Sequence, residues 1–220
     1  MLNKGIIIFV ICVMVNTSLV GCVKKMNIYR KNYSENDIAT VMEKRLKQKY
    51  DDSFKILSVS KGDDGVNFAA PYYKATAECE RNQVSFVLRT EVDGSNLRDN
   101  YEGNLYKSEI ENDINEIISK NPLLRFDECE LAFLLTEVYT GSLEQYRKSG
   151  NTILQTGIYL KADTVDEATA ETYDLIEAFQ NKGYGYSLDI EWNNKHVVLY
   201  KVGSYNKVTK EELRRKFEME

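Results

Sequence analysis

The chain has 220 residues, of which 43% are hydrophobic and 29% are charged, and its formal net charge is −5. This balance is ordinary for a folded body and too apolar for a disordered chain. The chain has no basic block of the kind that binding to a phosphate backbone requires, so we expect no nucleic-acid partner.

The first 22 residues have the three-part pattern of a secretory signal. A short leader carrying Lys4 precedes an unbroken apolar run from Ile6 to Val15, and polar residues 16–18 follow it. The alternative is an uncleaved membrane-spanning helix, which takes roughly 20 mostly apolar residues, about twice the length of this run. The pattern therefore favours export followed by cleavage.

The last four residues of this segment, Leu19-Val20-Gly21-Cys22, resemble the bacterial lipobox, in which the signal is cut before a cysteine that carries diacylglycerol. The resemblance implies that residues 1–21 are a lipoprotein signal peptide, with Gly21 the last residue removed and Cys22 the lipidated residue. It also implies that a lipid anchor holds the protein to the membrane, at the extracytoplasmic face of a bacterial cell. The two acyl chains of the diacylglycerol are needed for stable anchoring, because a single chain gives only marginal binding to a membrane.

The chain contains four cysteines, but Cys12 leaves with the signal and Cys22 is taken by the lipid. An even pair, Cys79 and Cys129, remains, and such a pair in an exported protein allows a disulfide. That bridge would enclose about 50 residues and contribute on the order of 4 kcal/mol in the loop-entropy estimate. The alternative is two buried free thiols, since cysteine packs as a small hydrophobe. Both alternatives stay open at this point.

Residues 22–33 are polar and basic without periodicity, and we interpret them as a tether. Residues 34–121 then have the order α-β-β-β-α, beginning with a helix whose first turn is capped by Ser34. Strands are predicted at 54–59, 73–79 and 84–88, and a second helix at about 104–120. Asn121-Pro122 ends that helix, because the residue before a proline disfavours helical geometry.

Four features of this half resemble small uncharacterised lipoproteins of Gram-positive bacteria: the first helix, the strand Phe54-Lys55-Ile56-Leu57-Ser58-Val59, the hairpin after it, and Asp99-Asn100-Tyr101 leading into a helix with Leu105 and Glu109. The resemblance covers about residues 35–120. It implies a location more than an activity, and Cys22 is the one functional residue that it carries over.

Residues 122–220 have the order β-α-β-α-β-β-α. Strands are predicted at 129–138, 153–160 and 184–192, followed by the turn Asn193-Asn194 and a return strand whose apolar face is His196, Val198, Tyr200 and Val202. Thr164 and Thr209 cap two of the helices. We therefore predict an α+β fold of mostly antiparallel sheets with helices packed on one face, in two small domains that meet near Asn121-Pro122.

The sequence contains few residues in patterns that are typical of a catalytic or metal-binding site. The single histidine, His196, is interpreted as a partly buried sheet residue instead of a triad member or metal ligand. Asp127, Glu128 and Glu130 cluster at a strand start, and paired carboxylates can perform acid–base hydrolysis. The carboxylates of the chain do not follow the spacing of a calcium loop. We therefore expect no catalytic residue, metal site or cofactor.

Tyr184, Tyr186 and Trp192 share one face of a predicted strand, with Tyr200 on its neighbour. Such a face either binds a partner, because aromatic rings give large contact areas, or forms the core beneath the helices. The small and polar residues between the aromatic ones favour the core.

The export signal and the missing catalytic patterns together predict a lipid-anchored, non-enzymatic binding or accessory module of the bacterial envelope, with an envelope protein as partner. The alternative is a cell-wall-active or peptide-processing hydrolase that uses carboxylates such as Asp127 and Glu128. A third interpretation, the solute-binding component of a transporter, fits poorly because such proteins have two larger α/β lobes.

Overall fold

A computed structural model describes residues 33–62, 71–201 and 208–219. The predicted signal peptide, Gly21, Cys22 and nearly all of the tether lie outside these residues. The helices of the described part are α1 Glu35–Tyr50, α2 Tyr101–Leu105, α3 Lys107–Ser119, α4 Leu143–Lys148, α5 Val165–Lys182 and α6 Lys210–Met219. Its strands are β1 Phe54–Gly62, β2 Tyr72–Cys79, β3 Ser85–Glu91, β4 Arg98–Asp99, β5 Leu124–Phe126, β6 Glu130–Phe133, β7 Thr152–Leu160, β8 Gly185–Trp192 and β9 Lys195–Lys201.

The first sheet is antiparallel and has the strand order β1-β2-β3-β4. Helix α1 lies on one face of it and buries Ile38, Met42 and Leu46. Alanines on β2, among them Ala75 and Ala77, are buried in the same core and leave room for the helix to approach closely. The predicted capping of α1 is confirmed, because the Ser34 hydroxyl accepts a hydrogen bond from the Asp37 N–H.

The second sheet is mixed and has the order β5-β7-β8-β9, with β6 pairing the same edge of β7 as β5 does. Strands β7 and β8 are parallel and are connected through α5. Strands β8 and β9 form the predicted hairpin, in which Asn193 and Asn194 have φ values of 51° and 61°. Two positive φ angles are typical of a type I′ turn. The predicted α+β class is confirmed.

Two hydrophobic cores meet at Tyr106. Leu105 packs against the first core, whereas Tyr106 packs against the second, and Ile110 and Ile114 of α3 lie within the second. Helix α3, which the sequence pattern assigned to the first half, therefore belongs to the second core and contacts α5 there. The continuous helix predicted over about 104–120 is in fact two helices, α2 and α3, broken at Tyr106.

A connecting segment, residues 134–142, joins the two halves. Asp99 at the end of β4 and Thr136 of this segment exchange two backbone hydrogen bonds of 3.1 and 2.9 Å. The buried carboxylate of Glu102 accepts hydrogen bonds from the Thr140 N–H (2.9 Å), the Thr140 hydroxyl (2.7 Å) and the Gly141 N–H (3.2 Å). Since buried polar groups are costly unless paired, these contacts hold the segment in one position.

The same segment explains why the strand predicted over 129–138 is much shorter. Strand β6 ends at Phe133, because the chain leaves β7 after Leu134 and pairs with Asp99 at Thr136. The short strand β5, Leu124–Phe126, was not predicted at all.

The return strand β9 presents the opposite face from the one predicted. Val197 and Leu199 are buried in the second core, whereas Val198 and Tyr200 are 59% and 68% exposed. The side chain of His196 is 61% exposed, so its interpretation as a partly buried residue is wrong. Val202 lies outside the described residues.

Candidate ligand groove beside strand β6

A groove of about 540 Å³ lies between helix α3 and strand β6. This volume is within the range of small-ligand and peptide-side-chain sites, which combine an apolar floor with a few polar groups. Its lining consists of Lys107, Glu111, Ile114, Asn115, Cys129, Glu130, Leu131 and Leu154. Ile114 and Leu154 are buried core residues, so the floor of the groove is the apolar surface of the second core.

The helix wall of the groove follows from the spacing of α3. Ile110, Ile114 and Ile117 recur on the side of the helix that enters the core. Lys107, Glu111 and Asn115 are four residues apart, which places them on one stripe along the edge of that apolar face. The Lys107 ammonium lies 3.7 Å from the Glu111 carboxylate, so these two charges form an ion pair at the rim.

Three contacts fix the position of α3 behind the groove. The carboxylate of Asp113 accepts a hydrogen bond from the Tyr184 hydroxyl (2.6 Å) and forms ion pairs with Arg147 (2.5 Å) and Lys182 (2.8 Å). Burial by itself raises the pKa of Asp113, but these three donors outweigh it and hold the pKa below its ordinary value. Burial and the neighbouring carboxylate both raise the pKa of Tyr184. The tyrosine is therefore a neutral donor to an ionised acceptor.

The strand wall of the groove is the free edge of β6. Antiparallel neighbours alternate between residues that exchange backbone hydrogen bonds and residues whose N–H and C=O point away from the partner. The Leu134 N–H donates to the Asn151 carbonyl (2.8 Å), and the β6–β7 register continues from that pair. Leu134 is therefore a hydrogen-bonded position of the strand pair. Because such positions alternate along β6, Leu131 and Phe133 are non-hydrogen-bonded positions, and their backbone N–H and C=O groups point away from β7. Within the described residues, no hydrogen bond to these outward groups is formed.

The predicted site residues are dispersed over this region. Cys129 is an exposed thiol at the groove rim, 3.6 Å from the Asp127 carbonyl oxygen and 3.5 Å from the Thr156 hydroxyl. Glu130 also lies at the rim, whereas the Asp127 side chain lies over Gly157 of β7. Sequence patterns did not point to Lys107, Asn115 or Leu131, because the groove forms only when β6 and α3 are brought together by the fold.

Cys79 and Cys129 are separate free thiols in the structure, but they are not the pair of buried thiols that the sequence offered as the alternative to a disulfide, because Cys129 is exposed. Cys79 ends β2 and is fully buried in the first core, as expected of a thiol that packs as a small hydrophobe. Cys129 precedes β6 at the edge of the second sheet and is exposed.

The aromatic face of β8 is a core face, as the sequence predicts. Tyr184, Tyr186 and Trp192 are buried in the second core. Tyr200, which the sequence grouped with them, lies on the opposite, outer face of the sheet. On the same outer face, the His196 ring nitrogen Nδ1 lies 3.2 Å from the Asp189 carboxylate.

Within residues 33–62, 71–201 and 208–219, no group of three or more His, Cys, Asp or Glu side chains is arranged to hold a metal ion. None of the helices in this described part is both long enough and apolar enough to cross a bilayer.

No protein-family model matches the chain, and no curated protein sequence matches it. The structure is similar to the crystal structure of a DUF5037 family protein from Ruminococcus gnavus, with a TM-score of 0.33 and 15% sequence identity, over 70% of this chain and 74% of that chain. A likeness at this TM-score carries no argument about function.

Proposed function

We propose that this chain is a lipid-anchored, non-enzymatic binding module at the extracytoplasmic face of a bacterial membrane. The observation that supports the anchor is the sequence Leu19-Val20-Gly21-Cys22, which follows a short apolar run and the polar residues 16–18. Diacylglycerol on Cys22 would hold the protein at the surface, and residues 22–33 would link that anchor to the folded body. Lys24 and Lys25 would then lie beside anionic head groups, which attract basic residues next to a membrane.

The observation that supports a binding role is the groove between α3 and β6. An apolar floor with a polar rim is the usual composition of a ligand site. The unpaired edge of β6 adds backbone donors and acceptors, and exposed strand edges in proteins are normally covered or blunted. Of the two acidic residues near it, Asp127 lies on the outer face of the sheet and Glu130 lies at the groove rim. This arrangement favours binding over paired-carboxylate hydrolysis, which needs two carboxyl groups on either side of one substrate bond.

Intact-mass analysis of the native protein from the membrane fraction tests the anchor. We expect a diacylated species that begins at Cys22 and that is absent from a Cys22→Ala variant. A full-length mass that retains Met1 in the wild-type protein would contradict the anchor and leave an uncleaved membrane segment as the explanation.

A further inference from the structure

We propose that the groove beside β6 binds an extended peptide segment of an envelope protein, and that the segment adds a strand to the free edge of β6. This proposal rests on the binding role proposed above and names the class of ligand. The peptide would carry an apolar side chain into the groove and a lysine or arginine side chain toward its acidic rim.

The backbone of β6 selects an extended chain. Leu131 directs its N–H and C=O away from β7, at the side of the strand that the groove follows. A neighbouring extended strand offers one acceptor and one donor at the same spacing, which is how strand addition obtains affinity from the main chain. A helical ligand satisfies its own backbone groups and could not pair with this edge.

The floor of the groove selects the side chains. Leu131 pairs with Leu154 in the β6–β7 register, and paired residues of antiparallel strands project to the same face. A ligand residue opposite Leu131 would project to this face as well, above Leu154 and beside Ile114 of α3. Since alternate residues of a strand point to opposite faces, every second ligand residue would be apolar.

The rim of the groove selects the charge. Lys107 and Glu111 form an ion pair with each other, whereas no ion pair of Glu130 is formed with any described residue. Asp127 does not contribute to this rim, because its side chain lies over Gly157 on the outer face of the sheet. A cationic ligand side chain therefore complements this rim, and an anionic one would be repelled.

Hydrogen exchange on the full lipidated protein in detergent micelles provides the direct test. The probe is a short capped peptide in which valine alternates with lysine. Because strand addition places the Leu131 N–H in a new hydrogen bond, we expect its exchange to slow by at least about tenfold at saturation. The Ala132 N–H, which the β6 alternation directs toward β7, provides the internal reference. Binding of the probe without a change at Leu131 would overturn the proposal.

Two control peptides separate backbone pairing from charge and hydrophobicity. The same sequence with alternate amides N-methylated keeps every side chain but removes the donors, and we expect it not to bind. A version with glutamate in place of lysine keeps the backbone, and we expect its affinity to be at least about tenfold weaker. Equal binding of the N-methylated peptide would contradict strand addition.

Variants on α3 locate the site without altering the core. Asn115→Trp places a bulky side chain at the groove rim, whereas Asn112→Trp places the same side chain on an exposed position of the same helix outside the groove. We expect Asn115→Trp to weaken probe binding at least about tenfold and Asn112→Trp to leave it unchanged. Equal thermal unfolding of the two variants establishes that both are folded, and equal binding by folded variants would refute the proposal.

The same preparation distinguishes failure of the anchor from failure of the groove. Intact mass reports the lipid, and hydrogen exchange reports the peptide, so either result can be negative alone. A second copy of the chain is the competing occupant of the β6 edge. Protection of the Leu131 amide without any peptide, together with a dimer in sedimentation analysis, would assign the edge to self-association and overturn the proposal.

Discussion

The hydroxyl group of Tyr184, just before β8, donates a 2.6 Å hydrogen bond to the buried carboxylate of Asp113 on α3. Arg147 at the end of α4 and Lys182 at the end of α5 approach the same carboxylate. One acidic side chain thus joins the ends of three elements to α3, and it fixes the helix that forms one wall of the groove.

Replacing Asp113 with asparagine should lower the free energy of unfolding by about 1–3 kcal/mol near neutral pH, because the charge that satisfies three donors is lost. Urea denaturation followed by tyrosine and tryptophan fluorescence measures this change. Glu116→Gln is the matched control, since Glu116 is an exposed carboxylate on the same helix and forms a surface ion pair with Lys120. An equal loss in both variants would show that the Asp113 contacts contribute no more than a surface pair.

The same substitution should change how stability depends on pH. The pKa of Asp113 in the folded protein lies below its ordinary value of 3.8, so its contribution is present above the unfolded pKa and is lost as the pH falls through the folded pKa. Between about pH 5 and pH 2, we expect the free energy of unfolding to fall more steeply in the wild-type protein than in Asp113→Asn. Parallel curves for the two proteins would contradict the assigned pKa direction.

Most helix boundaries could be predicted because capping is a local interaction. The hydroxyl groups of Ser34, Thr164 and Thr209 each accept a hydrogen bond from the N–H three residues later, as their sequence patterns indicate. The break at Tyr106 could not be predicted in this way. It arises where the chain passes from the first core to the second, and the apolar periodicity continues across that point.

The buried face of β9 follows from the turn that precedes it. Val197 to Tyr200 are apolar at consecutive positions, so alternation alone fits either face. The two-residue turn decides the face, because it pairs Trp192 with Lys195 and Ile190 with Val197, and paired residues share a face. The groove itself could not be derived, since it depends on the packing of α3 against an edge strand of only four residues.

The buried carboxylate of Glu102 stabilises the connecting segment, residues 134–142. Its carboxylate accepts three hydrogen bonds from Thr140 and Gly141 of the connecting segment, whereas glutamine would direct an amide N–H at one of those donors. We expect Glu102→Gln to lower the free energy of unfolding by about 2–3 kcal/mol and to speed amide exchange at Thr140. Glu109→Gln, at an exposed position of α3, should change neither quantity. Unchanged exchange at Thr140 in Glu102→Gln would show that other contacts suffice to hold the segment.

Thiol reactivity distinguishes the two cysteines of the folded body. In the mature protein, we expect Cys129 to react with a water-soluble thiol reagent under native conditions and Cys79 to react only after unfolding, because Cys129 is exposed and Cys79 is buried. Peptide mapping after alkylation identifies which cysteine carries the label. A Cys129→Ser variant should lose the native reaction. Failure of both cysteines to react until a reductant is added would instead demonstrate the disulfide.

Two glycines have left-handed backbone angles, but a Cβ would be crowded at only one of the two. Substituting each by alanine therefore separates the energetic cost of backbone strain from the cost of steric crowding. Gly183 ends α5 at φ +85°, and a Cβ there would overlap the carbonyl oxygen of Arg147. Gly141 has φ +80°, and a Cβ there would meet no atom within 4 Å. Gly141→Ala should therefore lower the free energy of unfolding by about 1 kcal/mol, the cost of the backbone angle alone.

Gly183→Ala should cost at least about 2 kcal/mol more than Gly141→Ala, because α4 must also move away from the end of α5. Denaturant unfolding of both variants measures the difference. The displacement of Arg147 should in turn weaken its ion pair with Asp113, so Gly183→Ala and Asp113→Asn should be less destabilising together than the sum of their separate effects. Strict additivity in this double-mutant cycle would show that the end of α5 and the carboxylate on α3 are energetically independent, despite their shared contact with Arg147.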